Sequence, residues 1–174
     1  REKEAPDGYL KAEDLSFTVA DTGEVRQILL EERAAQIRLV IDKEAEEQVR
    51  AGELFSCKIA ELKNDSNTSL EDFSVTDRLP DQACLKKLRT GTFNESLTYS
   101  IYYRTGDSAQ WLPLAEGIDS RESRILELEG LGLGEGERIT EIKWQFGCVP
   151  AGFSIDGTGP EYWMEADGEA ADGA

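Results

Sequence analysis

The chain has 174 residues, 39% of them hydrophobic, enough for one good core with a fragment of a second, or for one elaborated domain. Its formal charge of −17, from 36 acidic and 19 basic residues, repels phosphate backbones and anionic headgroups and argues against nucleic-acid or direct lipid binding. The absence of histidine removes the commonest general base and transition-metal ligand, and no cofactor is expected. Three scattered cysteines without a C-x-x-C pair support neither zinc nor thioredoxin-like chemistry. No stretch approaches the roughly 18 apolar residues of a membrane span, so direct membrane insertion is not expected. Neither a signal-peptide-like start nor a sorting motif is present, so an exported protein would hold this chain as an internal piece.

From Tyr9 to Leu30 the chain reads as short strands and turns. Leu15, Phe17 and Val19 alternate with Ser16 and Thr18, the period of a half-buried strand, and Asp21-Thr22-Gly23 is turn chemistry. Glu31-Glu32-Arg33 is a charged stop and begins a linker. Ile37, Leu39 and Ile41 then share one face of a new strand. Glu44 to Gly52 reads as an acidic connection, because Ala51-Gly52 cuts it off before the next apolar run.

Leu54 to Leu62 places Phe55, Cys57 and Ile59 inward, with Ser56, Lys58 and Ala60 outward. The run Asn64 to Ser69 is dense in turn formers. Phe73, Val75 and Asp77 alternate with Ser74, Thr76 and Arg78 until Leu79-Pro80 ends the strand. Further strands are predicted at 84–89, 96–104, 111–114, 124–128 and 138–146. In the last of these Thr140, Ile142, Trp144 and Phe146 share a face with Cys148. Strands recurring every 8–12 residues, with no helical pattern between them, indicate an all-β sandwich. After Phe153 the composition turns to Gly, Asp, Glu and Ala, with only Tyr162, Trp163 and Met164 as anchors. Residues 154–174 are therefore expected to be a Gly/acidic tail, partly disordered.

Two signatures carry a family resemblance. Glu2-Lys3-Glu4-Ala5-Pro6-Asp7-Gly8-Tyr9 and the strand Leu15–Val19 resemble the E-x-x-A-P-x-G-Y box and closing strands of Cna-B or SpaA-like pilin modules. In that family a glutamate of the box promotes an isopeptide bond between a first-strand lysine and a last-strand asparagine. Glu2 is the matching glutamate. The lysine would lie upstream of Arg1, and Gln27-Ile28-Leu29-Leu30-Glu31 holds no asparagine, so Glu2 is expected to be a vestigial match and a solvated charge.

The second signature runs Ile37-x-Leu39-x-Ile41-x-Lys43, Val49-x-x-Gly52-Glu53-x-Phe55, Asn64, Leu70, Phe73 and Thr76-Asp77-x-Leu79-Pro80. With its continuation to Phe153 it resembles the conserved repeat domain of sortase-anchored Gram-positive surface proteins. Gly52 permits a turn, Asn64 and Asp77 suit loop capping, and Pro80 stops a strand. The resemblances imply terminal strands of a Cna-B-like module over 1–32, a linker over 33–36, and an Ig-like sandwich over 37–153. They imply a stalk or adhesin module, extracellular and anchored to the cell wall through parts of the protein outside this chain; without histidine or a spacing that singles out two acids, it is expected to be non-catalytic. Its partners would be the flanking domains of that parent protein.

Sharper possibilities are few. Cys57 and Cys148, if both inward on facing strands, would form an inter-sheet disulfide; buried thiols are the default. Cys84 lies close to a strand start and, without a histidine in the chain, has no obvious base. Asp156-Gly157-Thr158-Gly159 and Asp167-Gly168-Glu169 lack the ligand spacing of a calcium loop. Tyr99, Tyr102, Tyr103, Trp111 and Trp163 offer material for a binding surface, with Tyr102 and Trp111 the expected exposed pair. Such a pair would make the module a binder of host glycan or extracellular-matrix protein.

Overall fold

A computed structural model describes residues 5, 8–11, 33–46, 48–106, 108–134 and 136–168. Glu2, the strand Leu15–Val19 and the turn at Asp21 lie outside them. The described residues form eleven strands and no helix, so no helix among them is long and apolar enough to cross a membrane. In chain order these are β1 (Tyr9–Leu10), β2 (Arg33–Ala34), β3 (Leu39–Ala45), β4 (Leu54–Asn64), β5 (Leu70–Arg78) and β6 (Ala83–Arg89). They continue as β7 (Thr98–Thr105), β8 (Leu112–Asp119), β9 (Ile125–Glu127), β10 (Ile139–Val149) and β11 (Glu161–Ala166).

Two antiparallel sheets make a β-sandwich, one ordered β5-β10-β7-β8 and the other β3-β4-β11-β6-β9. Alternation decides the faces. In β4 the inward set Phe55, Cys57 and Ile59 is buried while Ser56, Lys58 and Ala60 are half-buried on the other side, as the sequence pattern dictates. In β7 Tyr99, Ile101 and Tyr103 are buried and Tyr102 points away. Rings fill one end of the core: Phe93 lies 5.0 Å from both Phe146 and Phe153, and Tyr99 stacks on Phe146 at 5.0 Å. Each ring removed from water contributes about 1.5–3 kcal/mol.

Asn64 behaves as its place in the turn-forming run suggests. Fully buried, its Nδ2 donates to the carbonyls of Thr68 (3.1 Å) and Pro150 (2.9 Å), and its Oδ1 accepts from the N–H of Ser66 (3.1 Å). The two-residue ladder β1–β2 adjoins this turn, where Asn67 Nδ2 donates to the carbonyl of Ala34 at 3.0 Å. Arg33 and Ala34, assigned by sequence to a linker, thus pair with Leu10 and Tyr9.

The end of the chain differs most from the sequence expectation. Residues 161–166 are not tail: β11 is the middle strand of the five-stranded sheet, bonded to β4 on one side and β6 on the other. Tyr162 and Met164 point inward and are fully buried, with Trp163 between them facing out. That alternation is a strand signal, hidden by the glycine-rich, acidic composition on either side. The crossover into β11 is pinned to Thr92, whose N–H donates to the carbonyl of Thr158 and whose Oγ1 accepts from the N–H of Thr158. Gly159 is there because nothing larger fits; a Cβ on it would lie 2.1 Å from the carbonyl oxygen of Ile59.

Candidate functional site

The outer face of the four-stranded sheet gathers the residues singled out as a binding pair. Tyr102 on β7 is half-buried, and its Oη donates to Glu116 on β8 at 3.1 Å. Trp111 immediately precedes β8. Lys143, on β10 and directly opposite Tyr102, joins them: its Nζ sits 5.1 Å from the Tyr102 ring centre and 4.7 Å from that of Trp111. Arg104 packs 4.9 Å from the same indole and pairs with Glu141 at 2.6 Å. Tyr102 and Trp111 therefore belong to one surface cluster, with cations held against their π systems.

The five-stranded sheet carries a similar motif. Trp163 lies between Lys87 (4.8 Å) and Arg89 (5.1 Å), and Arg89 also pairs with Glu161 at 2.7 Å. In a strongly acidic protein these pairings keep the outward aromatics half-covered.

A second cluster lies inside, at the edge where β3 and β5 face each other. Asp77 points inward from β5. Its carboxylate accepts the Tyr162 hydroxyl at 2.5 Å and pairs with Lys43 of β3 at 2.8 Å. Lys43 also lies 5.4 Å from the centre of the Tyr162 ring. Asp77 is thus not a loop cap, as its position near a strand end suggested; it ties one sheet to the other. Burial raises the Tyr162 hydroxyl above the ordinary tyrosine range, and the adjacent Asp77 carboxylate raises it further. Burial likewise pushes the Cys57 thiol up, against the pull of Lys43. The sequence offered one faint signal: a charged residue at an inward parity in both β3 and β5.

The cysteines do not pair. All three are free: Cys57 is buried, Cys84 half-buried and Cys148 exposed. The disulfide envisaged between Cys57 and Cys148 fails because Cys148 does not share the face of Trp144 and Phe146. Gly147, at φ +75°, forms a bulge where β10 slips against β5, and the next inward residue is Val149. Cys148 instead points outward with Sγ 3.2 Å from Glu71 Oε1, and that carboxylate holds its thiol above the usual range.

Among the described residues no three acidic or cysteine side chains converge as a metal site. A shallow depression of about 400 Å³ is lined by Glu61, Lys63, Ser154 and Ile155, with one carboxylate and one ammonium group among them. The clusters described can hold sheets together and present rings and charges. The chain matches no known protein family, no curated protein and no solved structure.

Proposed function

We propose that the chain is a non-catalytic, Ig-like spacer segment of a cell-wall-anchored surface protein, preceded by strands of a Cna-B-like module. One observation supports the mechanical part. β3 and β11 are both antiparallel to β4, so they run in the same direction. β3 begins opposite Asn64 at one end of β4, and β11 finishes opposite Leu54 at the other. The two ends of the sandwich are therefore separated by about 33 Å along the strands, at 3.3 Å per residue. Tension applied through them loads the β11 ladders along the strand axis, where many bonds must break together.

The test is to pull the whole chain by its two ends, then between Glu53→Cys and the C-terminus. Glu53 accepts the N–H of Ala166, so the second geometry peels β11 bond by bond. A spacer resists several-fold more in the first geometry; equal forces would count against the reading. Recovery of the protein from the cell interior rather than the wall fraction would remove its surface location.

The Tyr102–Lys143–Trp111–Arg104 cluster favours a second reading, a module that itself binds host glycan or matrix protein. Binding to such a surface that is lost in Trp111→Ala but kept in Trp163→Ala supports it. Equal binding by both variants rejects it.

A further inference from the structure

Among the described residues, β3 is an edge strand with no neighbour on its open side. The other edges are blunted: β8 carries Pro113 and two register shifts, β9 has three residues, and β5 holds Asp72 at φ +52° beside two irregularities. β3 is seven residues long without a proline, and its one register shift comes after Asp42, where the extra residue belongs to β4. Gln36 and Arg38 turn their carbonyls to the β4 side, where Asn67 and Asp65 donate to them. By alternation the peptide groups of Ile37, Leu39 and Ile41 point to the open side.

The side chains fall into two rows. Leu39 and Ile41 lie opposite Asn64 and Leu62 and so share their inward face, yet the four-stranded sheet does not reach over them and they remain 51% and 57% exposed. Arg38, Val40 and Asp42 occupy the outer row. Written backwards, the strand complements itself. With Val40 opposite Val40, Leu39 meets Ile41 and Arg38 meets Asp42, on both sides of the centre. The register also suits the backbone, because Leu39 and Ile41, whose amides face outward, become the hydrogen-bonded pair.

We infer that β3 is a two-fold contact surface for a second copy of this chain, joining two five-stranded sheets edge to edge. Four apolar side chains then cover one another on the inner side, and two Arg38–Asp42 pairs close the outer side. The contact is isologous and uses up the β3 edge of both copies, so it stops at two.

The test uses the full chain with Cys148→Ser, to remove the exposed thiol. At about 100 µM, where a modest contact is populated, the solution mass is expected to be twice 19.3 kDa. Arg38→Asp or Asp42→Arg alone sets like charges opposite each other and should give monomers, while the double variant R38D/D42R restores the dimer. Val40→Cys should cross-link with itself under mild oxidation much faster than Gln110→Cys on a loop. Unchanged circular dichroism shows that each variant is folded. A monomeric parent, a double variant as monomeric as the singles, or equal cross-linking at positions 40 and 110 each overturns the inference.

Discussion

The Tyr162 hydroxyl donates to Asp77 Oδ2 at 2.5 Å, joining the last strand of one sheet to the edge strand of the other. The bond goes to a carboxylate in a largely buried place, so it is worth about 1.5–3 kcal/mol. Tyr162→Phe should lower the free energy of unfolding by that amount in urea titration. Asp77→Ala should cost at least as much, because it leaves the tyrosine hydroxyl without its acceptor. In the Tyr162→Phe background the Asp77→Ala penalty should shrink, the mark of a coupled pair. Additive losses would show that the two residues act independently.

Alkali should weaken the fold through its buried tyrosines. Burial pushes Tyr99 up to about 12, above its ordinary value near 10. Below that ordinary value both states keep the proton and nothing changes. Above it the unfolded chain ionises first, so stability falls as pH rises towards the folded value, by about 2–3 kcal/mol for Tyr99. Thermal melts between pH 8 and 12 should show the decline, and Tyr99→Phe should flatten part of it. A slope unaffected by that substitution would assign the loss elsewhere.

Gly159→Ala places a methyl group against the Ile59 carbonyl at a distance no packing tolerates. Either β11 or β4 must shift, at about 3 kcal/mol or more. Gly168→Ala meets nothing within 4 Å and should stay within about 0.5 kcal/mol of the parent. Chemical denaturation of the two variants side by side checks both.

Thiol reactivity should separate the cysteines. Cys148 is exposed and should be labelled by a disulfide reagent in the native protein, whereas Cys57 should react only on unfolding. Because Glu71 raises the Cys148 thiol, Glu71→Gln should increase its labelling rate at pH 7–8. Fast native labelling of Cys57 would mean that the β3–β5 edge opens readily.

The strands between Ile37 and Phe146 were legible because alternation is a local property, and their inward rows in β4 and β7 fall where parity puts them. Two features escaped it. Gly147 shifts parity by one residue, and a single glycine in an apolar strand does not announce whether it bulges. The residues Tyr162, Trp163 and Met164 were visible as anchors, but a six-residue strand in an acidic, glycine-rich stretch is outweighed by its surroundings. Of the surface cluster, Tyr102 and Trp111 could be named from sequence. Lys143 could not, since it joins them across strands that are distant in the chain. The Lys43–Asp77–Tyr162 tie has the same cause: it spans three strands and two sheets.

Because β11 fills the slot between β4 and β6, the order in which the chain is made matters. Until Ala166 is available the five-stranded sheet exists as two pieces, β3-β4 and β6-β9, with Leu88 and Ile59 lacking their neighbour. The pairing that joins them spans more than a hundred residues, from Leu54 to Glu165, so loop closure makes it a late and slow event. A partly synthesised or truncated chain would present two open strand edges to anything nearby, a window for misassembly that closes only when the final strand docks.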